Sequence, residues 1–348
     1  VNQRDNFTAM TALTLLIADL AAPVGFATQP RSTALDAILA QSNVTLSDGQ
    51  SVESAVLSAF GSATTSTASL TRLADTGEHS QTPWMRADPV HFAVSRDNVQ
   101  LFDSHVVRPT AHEMVAIADT LNAHFAADGL GFQFPNPARG YVGLAADDVP
   151  ITTPLWAMAG ANVFDHLPRG HTTTNWRAIT NEIQMLLHGH GVNVAREARG
   201  EPAINGLWCW GAGALPTSCA SVVPFTDVFA HLAIARGAAM HFNLGLHTLA
   251  TDYQSIAHVL PQNTLVVLHT PARDIRRGDP TAWANVVASI EANWLQPVHT
   301  AFNAGAISQL SLILPNEQFT LHAAVRRPTP LERITRYFTK QRRFIEYA

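Results

Sequence analysis

Lysine is almost missing from this chain. Lys340 is the only one, and arginine supplies the rest of the 22 basic residues. That bias fits a GC-rich bacterium. Charge of either sign is sparse, at 14% of 348 residues, where a globular protein carries about a quarter. The net charge of −5 gives no general attraction to nucleic acid or to an anionic membrane, so neither is an expected partner. Cysteine is scarce as well. Cys209 and Cys219 cannot make a disulfide scaffold, and Cys209, between two tryptophans, reads as an inert core thiol. No apolar run reaches the length of a membrane-spanning helix. The apolar stretch 9–23 contains Asp19 and has only Arg4 against Asp5 before it. It reads as a buried first strand of a cytoplasmic protein rather than a leader. H-x-x-x-H, C-x-x-C, G-x-S-x-G and Walker patterns are all lacking. Structural zinc, a hydrolase elbow and a P-loop therefore have no sequence support.

What remains is 47% apolar, enough for one large α/β domain or two smaller ones. "TALTLLIADL", 11–20, and "TLVVLHT", 264–270, read as parallel strands buried on both faces. Helices are expected at 32–41, capped by Ser32 or Thr33, and at 51–60, capped by Ser51. The Ser/Thr-rich stretch 61–83 reads as a linker or mobile loop. Strand patterns at 90–94 and 98–102 flank "SRDN", a hairpin signal, and a helix at 111–127 and two short strands follow. Around 174–189, Trp176, Ile179, Ile183, Leu186 and Leu187 make a helical stripe. "INGLWCW", 204–210, is a buried strand. A helix at 279–297 is capped by Asp279, with Pro280 in its first turn and Pro297 at its end. "ISQLSLILP" and "FTLHAAV" are late strands. A basic amphipathic helix, 331–348, closes the chain as a surface that could dock on the body or on a partner.

Strand–helix alternation at both ends with an α+β block between them predicts an α/β core carrying an insertion. The expected division is 8–75 with 200–330 as the core, 84–195 as the inserted α+β domain, and 331–348 as the terminal helix.

Few residues offer chemistry. Asp19 follows the first strand, where α/β sheets bind ligands, and is either a metal-ligand candidate or a cap. Asp274 and Asp279 follow the strand at 264–270, along with His269. Imidazole and carboxylate suit divalent metals, but Asp279 also serves as an N-cap and Asp274 can pair with neighbouring arginines. His188 and His190, two apart at a helix end, read as a C-terminal cap against the helix dipole. "WGAG", 210–213, is either an anion cradle or a tight turn, with Arg196 and Arg199 upstream.

"HGHGVNVAREARGEPAINGLWCWGAG" resembles a segment of the archaeal-type cofactor-independent phosphoglycerate mutases. "RADPVHF", "HLPRG", "NEIQMLLH" and "PARDIRRGD-TAW" resemble, more closely, a bacterial family known as RpfE-type regulatory proteins. The resemblance implies an alkaline-phosphatase-like doubly wound sheet with an inserted α+β domain. It nominates His190, Asn193, Arg196, Asn205, Gly211 and Gly213 for substrate binding. It implies a two-metal site built on Asp and His, here Asp19, Asp274 and Asp279 with Mn²⁺ or Zn²⁺. The matching is incomplete. Ala21 and Ala22 follow Asp19, Gly278 stands where the family has histidine, and "LPNEQFTLH" replaces a Gly-Asp-His element, leaving Glu317 and His322 as distant substitutes. The expected reading is a mutase-like protein without phosphoryl transfer or cofactor, acting on a protein partner or a small phosphorylated ligand. The alternative is a divergent metal-dependent phosphoglycerate mutase or phosphohydrolase.

Overall fold

The structure is a computed structural model. It describes residues 11–18, 20, 32–61, 66–94, 99–146, 148–158, 163–169, 174–216, 223–269, 280–316 and 318–327. Twelve strands occur among them: β1 (Ala12–Ile17), β2 (Ser42–Asp48), β3 (Trp84–Val94), β4 (Val99–Phe102), β5 (Phe132–Asn136), β6 (Arg139–Gly143), β7 (Gly206–Gly213), β8 (Asp227–Ala230), β9 (Gly245–His247), β10 (Asn263–Leu268), β11 (Gln309–Pro315) and β12 (Phe319–Val325). Two compact units form. One is Val1–Ala63 with Cys219–Ala348, and the other is Thr64–Ser218. The terminal helix expected at 331–348 lies outside the described residues.

In the first unit, seven strands run in the order β2-β12-β11-β1-β10-β8-β9. β1 pairs in parallel with both β10 and β11, and β8 and β9 continue the parallel run, while β12 and β2 are antiparallel. The central strands carry aliphatic side chains on both faces because both faces are covered. Leu13, Leu15, Ile17, Val266 and Leu268 are buried with Leu35 and Ile38 of the helix Thr33–Leu39. Ser32 and Ser51 cap their helices as the sequence suggests, each accepting a backbone N–H three residues on.

The helix expected to stop at Pro297 does not stop there. It runs Pro280–Ile290, widens into a π turn at Glu291–Leu295, and continues as Gln296–Ala304. A proline clashes with the carbonyl one turn back. The wider turn before it relieves that clash, so Pro297 enters the first turn of the last segment. Gly305, with φ of 91°, ends the helix instead. Trp283, Val287, Ile290, Trp294, Val298 and Phe302 thereby form one continuous buried stripe.

The second unit holds an antiparallel sheet ordered β4-β3-β6-β5, with β7 on β3. The strand 206–213, assigned to the α/β core from the sequence, is hydrogen-bonded here through Val90↔Gly206 to Trp84↔Gly213. One face of this sheet is apolar. Met85, Ala87, Val142, Leu207 and Cys209 pack against Met114, Ile117 and Leu121 of the helix Ala111–His124 and against Ile179, Ile183 and Leu187 of the helix Trp176–His188. Burial pushes the Cys209 thiol up to about 12, with the Asp88 charge adding to it, so the thiol is inert at neutral pH.

The stretch read as a linker also differs. It contains the helix Thr67–Thr76, whose residues Thr67 to Leu73 are all buried. Hydroxyl side chains survive burial there because each finds an acceptor. Thr71 Oγ1 donates to the Thr67 carbonyl, and Ser69 Oγ to that of Gly213.

Glu113 ties the second unit together. It completes a capping box with Thr110 and takes a 2.8 Å bond from Arg196 Nη1. Burial alone would raise its carboxyl, but the Thr110 backbone and Arg196 bonds outweigh that and hold it below the ordinary glutamate range. A depressed folded value stabilises above the unfolded one, and that stability disappears as pH falls through the folded value. Glu113→Gln should therefore lose about 1.5–3 kcal/mol at neutral pH. The gap from wild type should close below about pH 4, the ordinary glutamate range. Urea unfolding across pH measures this, and a gap that does not change with pH would reject it.

Candidate functional site

β3 alternates. Met85 and Ala87 face the apolar core just described, and Trp84, Arg86 and Asp88 lie on the other face. That face is buried and charged. Arg86 grips Asp88 through Nε at 2.9 Å and Nη2 at 2.8 Å, with side chains 8% and 2% exposed. Trp210 Nε1 of β7 donates to Asp88 Oδ2 at 2.7 Å, and the Arg86 guanidinium lies 5.0 Å from the Trp210 ring centroid. From β6, Arg139 forms a second two-point pair with Asp75 of the helix Thr67–Thr76, and Tyr141 OH donates to the same carboxylate at 2.6 Å. Arg72 of that helix lies 4.1 Å over the Trp84 ring and bonds Gln133 and Glu78.

Burial pushes the Asp88 carboxyl above its usual range, against the opposing pull of Arg86, Trp210 and Arg139. Tyr141 is pushed well above its usual value, first by burial and then by the Asp75 charge. Chemically, this is a set of paired forks. Asp88 occupies the Arg86 fork and Asp75 occupies that of Arg139, so an added anion would have to displace a carboxylate. Arg86 and Asp88 lie in the motif "RADPVHF", which by itself assigns them no role. The signal that could have found the pair was the i, i+2 spacing of Arg86 and Asp88 in a strand.

Four of the six residues nominated for substrate are already bonded within the chain. His190 is the N-cap of the helix Gly191–Ala198, its Nδ1 accepting from Val192 N, with Nε2 3.0 Å from Thr120 Oγ1. For His190 the expected C-terminal cap is thus an N-terminal one, because Gly189 ends one helix and the next begins at once, while His188 does stand in the last turn of the helix Trp176–His188. His188 is exposed. Asn193 Nδ2 donates to the Leu187 and Ile204 carbonyls, and its Oδ1 accepts from Ile204 N. Asn205 bridges to both backbone groups of Phe92. Arg196 donates to Pro202 O, Glu113 and Val107 O, and its side chain is 2% exposed.

Gly211 and Gly213 lie beneath the start of the helix Thr67–Thr76. Their φ angles are 64° and 151°, and a Cβ would come within 3.1 Å of Thr67 Cβ and 2.3 Å of Ser66 Oγ respectively. The glycines thus permit a close approach that a side chain would block.

Asp19, Asp274, Gly278 and Asp279 lie outside the described residues, as do Cys219 and Glu317. His269 follows β10 and is exposed. The sequence reading did not find the pair at the other end of this sheet. His247 Nε2 lies 2.8 Å from Asp227 Oδ1, and its ring stacks on Phe229 at 4.5 Å.

No protein-family model matches the chain. It is 25% identical over 138 residues, 38% of its length, to a 2,3-bisphosphoglycerate-independent phosphoglycerate mutase of Methanosarcina acetivorans. The match spans 34%, about a third, of that relative. The solved PH0037 protein from Pyrococcus horikoshii aligns over 91% of this chain and 87% of its own, with a TM-score of 0.56 and 14% identity. A cofactor-independent phosphoglycerate mutase from Thermoplasma acidophilum aligns over 90% and 89%, with a TM-score of 0.47 and 13% identity. The fold is α/β with a mostly parallel central sheet, and the PH0037 protein shares it. The chain is distantly similar to cofactor-independent phosphoglycerate mutases.

Breaking a buried pair strands the surviving charge and costs about 3–5 kcal/mol, whereas replacing both partners with apolar groups costs much less. Arg86→Met and Asp88→Leu alone should each lower the unfolding free energy by about that amount. The double variant should lose far less than their sum. Urea unfolding of all four proteins completes the cycle, and simple additivity would refute the pair as one unit.

Proposed function

We propose that the chain is a phosphoglycerate-mutase-like protein without two-metal phosphoryl transfer, acting in the cytoplasm by binding a protein partner or a small phosphorylated ligand, in the manner of the RpfE-type regulatory family. One observation carries this reading. Arg196, the nominated cation for a phosphate, has its guanidinium filled by Glu113, Pro202 O and Val107 O. A phosphate needs a cation whose donors are free to turn toward it. The sequence supports the same reading, since Gly278 stands where the resemblance requires an imidazole.

A specific observation favours a second reading, a divergent phosphoglycerate mutase or phosphohydrolase using Mn²⁺ or Zn²⁺. β1 and β10 are adjacent and parallel, with Ile17 opposite Leu268. The two strands therefore end at the same carboxyl side of the sheet, where ligands of α/β sheets bind, and Asp19, Asp274 and Asp279 come after them in the sequence.

Metal content separates the two. The protein is loaded with Mn²⁺ and Zn²⁺, desalted and measured by mass spectrometry, and then assayed with phosphoglycerates. The proposal expects no stoichiometric retention and no turnover. About two equivalents, as a two-metal mechanism requires, lost in Asp19→Ala or Asp274→Ala, would overturn it in favour of the enzyme.

A further inference from the structure

β2 is the outer strand of the first unit's sheet, and among the described residues no strand pairs with its other edge. Seven residues, Ser42–Asp48, lie in unbroken antiparallel register with Val325–Phe319 of β12. The phase of that ladder is fixed at one end, where Arg326 N donates to Gln41 O at 2.9 Å. Antiparallel pairs alternate between bonded and non-bonded. Gln41, Asn43, Thr45 and Ser47 therefore bond β12, and the backbone groups of Ser42, Val44, Leu46 and Asp48 point outward.

Exposed edges are normally blunted by lysine, proline or a bulge. β2 has none of these, and its one charge is Asp48, at its end. It also presents an apolar side chain to solvent. Leu46 is 53% exposed, while Val44, on the same face of the strand, is packed against the core.

We propose that the β2 edge joins a second copy of this chain, strand against strand, about a two-fold axis at Thr45. The sequence is self-complementary in that arrangement. Thr45 meets Thr45 of the copy as a non-bonded pair. Val44 meets Leu46, and Ser42 meets Asp48, each pair exchanging both backbone bonds. Leu46 is thereby covered by the copy's Val44 and extends the core across the axis. The two Asp48 carboxylates stand at opposite ends of the ribbon, so no like charges oppose one another. A C₂ contact of this kind uses the same patch twice and closes on itself. One strand pair is a small interface, so the association is concentration-dependent rather than permanent.

The full chain is tested by sedimentation velocity over a concentration series. Wild type should dimerise as concentration rises. Leu46→Pro removes an outward N–H and leaves the bonds to β12 in place, which an edge strand tolerates. It should be monomeric throughout, with unchanged circular dichroism and melting. Leu46→Lys should also be monomeric, which guards against a proline-specific fold defect. Thr45→Cys in a Cys219→Ser background should form a disulfide-linked dimer on oxidation, because the paired residues sit closest across the axis. A wild type that stays monomeric would overturn the proposal. So would a dimer that survives both Leu46 variants, or a β2 edge that binds a foreign strand while failing to self-associate.

Discussion

The side chains of a strand alternate between its two faces, and the second unit depends on how β3 uses that alternation. Met85 and Ala87 enter an apolar core beneath two helices, while Arg86 and Asp88 enter a charged layer on the other side. A buried carboxylate beside an unpaired guanidinium would be intolerable, so the two must meet, and i, i+2 spacing brings them together. Their pairing then dictates what covers them. Trp210 supplies a third partner from β7, and the helix Thr67–Thr76 brings Asp75 to Arg139 and Arg72 to Trp84. That helix can lie so close to β7 only because positions 211 and 213 are glycines.

The same arrangement explains which parts of the fold were legible. Strands β1 and β10 were readable because a sheet covered on both faces demands an unbroken aliphatic run. The helix Trp176–His188 was readable because one buried stripe faces solvent-exposed positions. The helix Thr67–Thr76 was not, since a Ser/Thr-rich string resembles a loop until its hydroxyls are seen bonding carbonyls of the preceding turn. The continuation through Pro297 was hidden for a similar reason. A π turn leaves no signature in composition, and proline reads locally as a stop. β2, with two apolar residues among Ser, Asn, Thr and Asp, carries the weak pattern of an edge strand.

The site was legible in part. The segment His190–Gly213 stands out in the sequence, and it does adopt specific local structure. Its polar residues are there to be satisfied by the chain itself. Asn193 staples the end of one helix to the approach of β7, Asn205 staples that approach to β3, and Arg196 anchors the capping box. A distinctive polar residue in a motif can therefore mark a backbone that needs a partner as readily as a ligand that needs a donor. Sequence alone does not separate these cases, because an amide serving a buried carbonyl and an amide serving a phosphate are the same residue type.

The two edges of the first unit's sheet show the same logic from the side of unpaired groups. β9 is three residues long, and the Asp227–His247 pair joins it to β8, with the imidazole stacked on Phe229. So short an edge offers little template for another strand. β2 is more than twice as long, regular, and without any blocking residue. Water can satisfy its outward backbone groups, so the edge is not itself unstable. What water cannot do is shelter Leu46, and a strand of matching polarity can. The asymmetry between a short, stapled edge and a long, open one is a structural reason to look for this protein's partner at β2.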